Sequence, residues 1–260
     1  MNRMRFFLIF LILPMLTGAS CKRFTQKDYS LTVQEYTAKG MPDPDKPWSV
    51  NNYFKAHITL GTLKIYNPKS LPRKLSKKSG TVFSRIVNKE ILLFFDDPGL
   101  PLSSRAMEIM EFARLQNDLI GMYSYLSDSV KYYTDELPDI YIFALNVQNK
   151  KLEIAGKIMN SSDDRDIEFQ SGLPTVVYNY LNIIKIILGE QVKSGLYHHE
   201  DLNRLSLEVS RSLAQNHKFI LPADRDTIIT LIKSTIKKSP SGPIKENYLK
   251  TLKVFNDEIN

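Results

Sequence analysis

The chain has 260 residues, 43% hydrophobic and 24% charged, with 35 Lys and Arg against 28 Asp and Glu for a formal net charge of +7. That balance excludes a disordered, collagen-like or multispanning chain and leaves room for one or two domains around a real apolar core. A single cysteine excludes a disulfide scaffold, so the fold rests on apolar burial.

The first twenty residues read as a secretory signal peptide. Arg3 and Arg5 make a basic start, an apolar run covers 6–16, and Thr17, Gly18, Ala19 and Ser20 are small. A membrane-spanning helix requires ~20 apolar residues, and this run is about half that length. Cys21 follows directly. The segment Leu16-Thr17-Gly18-Ala19-Ser20-Cys21 resembles the lipobox of bacterial lipoprotein precursors, with Gly18 where a branched apolar residue is commoner. The resemblance covers about the first 21 residues and no more. It implies cleavage between Ser20 and Cys21, transfer of diacylglycerol to the Cys21 thiol, and acylation of the new amino group by a chain such as palmitate. Lys22, in place of Asp, implies sorting to the outer membrane of a Gram-negative bacterium, and the lack of an acidic run after Cys21 implies the periplasmic face. Each buried methylene contributes ~0.8 kcal/mol, so two or three acyl chains hold a protein on a bilayer almost permanently.

Residues 21–48 are expected to be a lipid-anchored tether, polar and then stiffened by Pro42, Pro44 and Pro47. Trp48 is expected to plug one end of the helical body. A basic N-terminal subdomain with short helices is expected over 49–102. Ser49 caps a helix that carries Val50, Phe54 and Ile58 at spacings of four, while 60–66 is compatible with either helix or strand. Asn67-Pro68 and Leu71-Pro72 end that element, Val82, Phe83, Ile86 and Val87 mark another short helix, and the apolar run 91–95 stops at Asp96-Asp97-Pro98-Gly99.

Charge is lopsided along the chain. Residues 21–90 hold 14 Lys and Arg against 5 Asp and Glu, whereas 91–260 hold 19 against 23. Arg73, Lys74, Lys77 and Lys78 crowd around Pro72 and Gly80 and are the candidates for contact with an anionic membrane surface or an acidic partner; the alternative is a solvated basic loop. Nucleic acid is not expected as a partner, because the signal peptide carries the chain out of the cytosol and no recognition motif accompanies the charge.

From residue 103 long helices are expected. Met107, Met110, Leu115, Leu119, Met122 and Leu126 mark the first, after a cap at Ser103 or Ser104. Pro138 opens a second with Tyr141, Ala144, Leu145, Gln148, Leu152, Ala155 and Ile158 as its stripe. The acids at 163–168 open a third that Pro174 starts or kinks, and its broad apolar surface around Tyr180, Ile184 and Leu188 suits a central position. Leu202, Leu205, Val209 and Leu213 mark a fourth helix, and Pro222 and Pro243 open a fifth and a sixth. Short links between them predict an all-α fold, a multi-helix bundle or stack over 103–260 with a short irregular N-terminal region.

Catalytic signatures are sparse. The sequence contains no Gly-x-Ser-x-Gly elbow, phosphate-binding glycine loop, Cys-x-x-Cys or His-Glu-x-x-His. His198, His199, Glu200 and Asp201 hold metal-ligand chemistry, yet adjacent helical side chains diverge by about 100°, and acids there suit a helix start. No cofactor, metal site or catalytic residue is therefore assigned. The expected function is that of a lipid-anchored envelope protein acting through a protein partner, as an interaction or scaffold component and an accessory of a secretion or transport assembly. The alternative is an envelope small-ligand-binding protein or enzyme with a pocket in the helical bundle.

Overall fold

The computed structural model describes residues 27–130, 132–192, 196–238 and 242–257, and among these no strand occurs. The expected signal peptide, Ser20 and Cys21 lie outside them. Helices follow in the order α1 (Val33–Ala38), α2 (Val50–Tyr66), α3 (Gly80–Ile86), α4 (Leu102–Val130), α5 (Leu137–Met159), α6 (Asp164–Gln170), α7 (Leu173–Val192), α8 (His199–Asn216), α9 (Pro222–Lys238) and α10 (Pro243–Asp257). Single 3-10 turns occupy Pro68–Ser70 and His217–Phe219, and a longer 3-10 run covers Lys89–Asp96. The fold is all-α, with the helices packed into a bundle.

Local chemistry accounts for the boundaries. Thr32 and Glu35 form a reciprocal capping box on α1, and the Ser49 hydroxyl accepts the Asn52 N–H at the start of α2. Residues 60–66, open between helix and strand on sequence grounds, complete α2 up to Asn67-Pro68, where the proline removes the next donor. The third expected long helix is two: α6 ends at Gln170, Gly172 turns the chain, and Pro174 falls in the first turn of α7.

One buried cluster runs from Tyr36 to Phe255. Its axis is α5, which packs on α4, α7 and α8; α2 lies against α4, while α9 and α10 cover α7 and α8. The central position expected for α7 therefore belongs to α5, which is buried on every side over 140–145 and continues as a buried stripe through Val147, Leu152, Ile154 and Ile158. On α4 the expected Leu115, Leu119 and Met122 are buried and Leu126 packs against the core, but Met107 and Met110 turn outward. The buried face also takes in Ala106, Ile109, Phe112, Ala113, Gln116, Ile120 and Tyr123, so in the first turns the Ala106, Ile109 and Phe112 side of the helix faces the core.

The N-terminal region joins this core. Tyr36 and Met41, within the segment expected to be a tether, are buried, and Trp48 stacks edge-on against Tyr53 at 5.3 Å while its indole N–H donates to the Asp43 carbonyl. Tyr53 in turn meets Phe112 of α4 at 5.2 Å and Phe143 of α5 at 6.3 Å. The aromatic stack thus crosses the boundary expected at 102/103, because large rings bury area that neither segment covers alone.

Candidate functional site

The basic segment is held from below by tyrosines. Between α4 and α5 the chain turns through Tyr132 and Tyr133, and Tyr133 has φ +67°, a left-handed conformation that costs a non-glycine residue of order 1–3 kcal/mol. In that turn the two rings lie 4.5 Å apart, edge to face. The Tyr133 hydroxyl donates to the Pro68 carbonyl at 2.8 Å and accepts the Leu71 N–H at 3.0 Å. Tyr36 donates to the Ser70 carbonyl at 2.6 Å, and Tyr123 to the Pro72 carbonyl at 2.9 Å. A proline-rich stretch that pairs little of its own backbone is satisfied by phenols from three elements.

Arg73 and Lys74 follow directly. The Arg73 guanidinium lies 4.7 Å over the Tyr132 ring and its Nε is 3.5 Å from Glu136 Oε1. The same Oε1 accepts the Lys74 backbone N–H at 2.8 Å, whereas Oε2 is buried without a hydrogen-bond partner. Glu136 has a side-chain exposure of 0%, and burial pushes its carboxyl up to about 7, against the pull of Arg73 and of the Lys74 N–H. Lys74 reaches on to Asp139 at 2.8 Å; Asp139 also accepts from Arg204, whose other nitrogen meets Asp201 at 3.1 Å. Burial raises the Asp201 carboxyl despite Lys74 and Arg204.

Lys77 and Lys78 lie elsewhere: both are exposed. The four basic residues grouped by sequence therefore separate into an inward pair, neutralised by Glu136 and Asp139, and an outward pair. No local signal distinguishes the pairs, because the acids that claim Arg73 and Lys74 are more than sixty positions away. His198 lies 3.4 Å from Asp135 and His199 is exposed at the start of α8; among the described residues no group of three or more His, Cys, Asp or Glu converges as a metal site would require.

A second feature lies toward the C-terminal end of α5. A cavity of about 150 Å³ opens where α4, α5, α6 and α7 meet, walled by Ile109, Ile154, Ile158, Phe169 and Val176. Lys151 lines it, one helical turn before Ile154 and Ala155. No motif or periodicity marks this lysine in the sequence, and Lys150 beside it pairs outward with Asp96 and Glu153.

No family model, curated protein or solved structure matches the chain. The class defined by the fold is an all-α multi-helix domain, and its site chemistry stands on the residues described above.

Proposed function

We propose that the protein is a lipid-anchored component of the cell envelope, acylated at Cys21 and facing the periplasm from the outer membrane, whose helical body works by binding an envelope protein as an interaction or scaffold component. The lipobox-like segment carries this reading, together with the short distance from it to the packed body. Ser30 is already buried and its hydroxyl lies 3.0 Å from that of Ser76, nine positions after Cys21. At ~3.3–3.6 Å per extended residue, that length holds the body within about 30 Å of the anchor.

The exposed surface near that attachment supports a protein partner. Ile58, Ile65 and Tyr66 stand on one side of α2, with Tyr66 83% exposed, and Tyr125 of α4 joins them through Lys64, which sits 5.3 Å over its ring. Lys55 and Lys64 belong to the same helix and Lys69 to the turn that follows it, so an apolar patch rimmed by acids suits this surface. Arg73 and Lys74 are occupied within the fold, leaving Lys77 and Lys78 for contact with anionic lipid.

Fatty-acid labelling of the wild type and of Cys21→Ser, with a photo-crosslinker at position 66 in intact cells, tests both halves. The expected result is a labelled wild type, an unlabelled variant and one defined envelope protein crosslinked in the wild type. An unlabelled wild type in the soluble periplasm removes the anchor, and crosslinks to lipid alone remove the protein partner.

A further inference from the structure

The chain spends a lysine where an apolar residue would pack better. Lys151 is only 6% exposed, and among the described residues it makes no hydrogen bond or ion pair. No protein acid claims its ammonium: Glu168, on the same cavity wall, is exposed and forms no ion pair with it. The surrounding stripe is otherwise apolar: Ile154, Ala155 and Ile158 on its own helix, Ile109 across on α4, Val176 on α7. Lysine stems snorkel, carrying the amine out to water while the methylenes stay on apolar surface. Lys151 does so here, its stem buried on the cavity wall and its amine at the solvent edge, where partial burial pulls the amine below the usual lysine range.

We propose that this cavity binds a small apolar carboxylate, whose charged end pairs with the Lys151 ammonium and whose hydrocarbon body fills the space between α4, α5 and α7. The volume sets the size. A dry apolar cavity of about 150 Å³ accommodates a benzene-sized body, so the ligand carries about six carbons inside the wall. Met110 and Met159 line the same cavity and are partly exposed, 42% and 43%, which leaves an adaptable apolar exit for a longer chain. Specificity follows from the one cation on the cavity wall. A ligand of the same shape without the carboxylate fills the space and leaves the ammonium to water, whereas the carboxylate pairs with it beside a low-dielectric wall. Glu168 acts against any anion in the cavity and so moderates affinity.

The site stands apart from the anchoring reading, since none of its walls belongs to α2 or to the basic segment. Its test uses the full chain with Cys21→Ser, free of acyl groups, titrated calorimetrically with hexanoate and with hexanol as the uncharged counterpart. Hexanoate is expected to bind at least tenfold more tightly than hexanol. Lys151→Met, which keeps the stem and removes the charge, is expected to abolish that preference while raising Tm, and Lys151→Arg to retain part of it. Glu168→Gln is expected to tighten hexanoate binding a few-fold. Equal binding of the two probes, no hexanoate binding at millimolar concentration, or a preference that survives Lys151→Met would overturn the proposal. A fall in Tm for Lys151→Met would do the same, because it would make the lysine a structural residue.

Discussion

Glu136, at the N-terminal end of α5, accepts the backbone N–H of Lys74 at 2.8 Å and so ties together positions 62 residues apart. The same oxygen neutralises Arg73, and the neighbouring Asp139 neutralises Lys74. The most basic stretch of the chain is thereby docked on the start of its central helix. Net charge along a sequence reports what a segment carries, not which way its side chains face.

Removal of Glu136 should be among the costliest single changes. Glu136→Ala leaves the half-buried Arg73 guanidinium without its counter-charge, and breaking such a pair typically costs ~3–5 kcal/mol. Glu136→Gln keeps an acceptor for the Lys74 N–H and should cost distinctly less. Urea denaturation of the two variants measures the difference; equal losses would show that the acceptor kept by Gln is immaterial and that the lost charge carries the whole effect.

Stability should respond to pH in two opposed ways. Glu136 is raised to about 7 in the folded chain from 4.5, so between these values the folded state holds the extra proton, and stability falls as pH rises through that window. His57 is pushed down to about 4 from 6.5 by burial and by Arg114, so the unfolded state binds the extra proton and stability falls as pH drops from 6.5 toward 4. Between about 4.5 and 6.5 the contributions offset. Glu136→Gln should expose the rise of stability with pH, and His57→Phe the decline. Urea midpoints from pH 4 to 8 read both slopes, and identical profiles for all three chains would contradict the assignment.

The tyrosine clamp predicts unequal effects for removal of one hydroxyl. Tyr133→Phe orphans the Pro68 carbonyl and the Leu71 N–H, and each unsatisfied buried group costs ~1–3 kcal/mol. Tyr125→Phe, at an exposed ring, should lie within about 0.5 kcal/mol of the wild type. Limited proteolysis should show faster cutting within 68–78 in Tyr133→Phe only.

Continuity of the core across residues 102 and 103 predicts one cooperative transition. Phe112 touches Tyr53, Phe95 and Phe143, so Phe112→Ala should cost ~3–5 kcal/mol and lower the unfolding of the whole chain together. Fluorescence of Trp48 and far-ultraviolet circular dichroism should give coincident midpoints. Separate midpoints would mean that 49–102 unfolds on its own.

The two exposed lysines supply the last prediction. Without the acyl anchor, vesicle association through Lys77 and Lys78 should appear only at low salt, since two exposed charges contribute ~1 kcal/mol each near an anionic leaflet and are screened within about 8 Å at physiological ionic strength. Changing both to Ser should remove it with Tm unchanged, whereas Arg73→Ser should lower Tm. Sedimentation with anionic vesicles and a thermal melt separate the two effects.

The sequence alone determined the helical class and most helix boundaries. Pro138, Pro222 and Pro243 lie at helix starts as their missing N–H and preset φ require, and Ser49 caps α2. These are local effects, complete within one or two turns, so periodicity and capping residues carry them. Tertiary structure decided the rest: that the polar segment before Trp48 lays Tyr36 and Met41 into the core, that α5 rather than α7 is central, that Met107 and Met110 turn outward, and that Arg73 and Lys74 face acids while Lys77 and Lys78 face solvent. Lys150 and Lys151 show the reason most simply. They are adjacent and chemically identical, yet a helical rotation of about 100° sends one to Asp96 and Glu153 and the other into an apolar cavity, and only the neighbouring helices determine what each one meets.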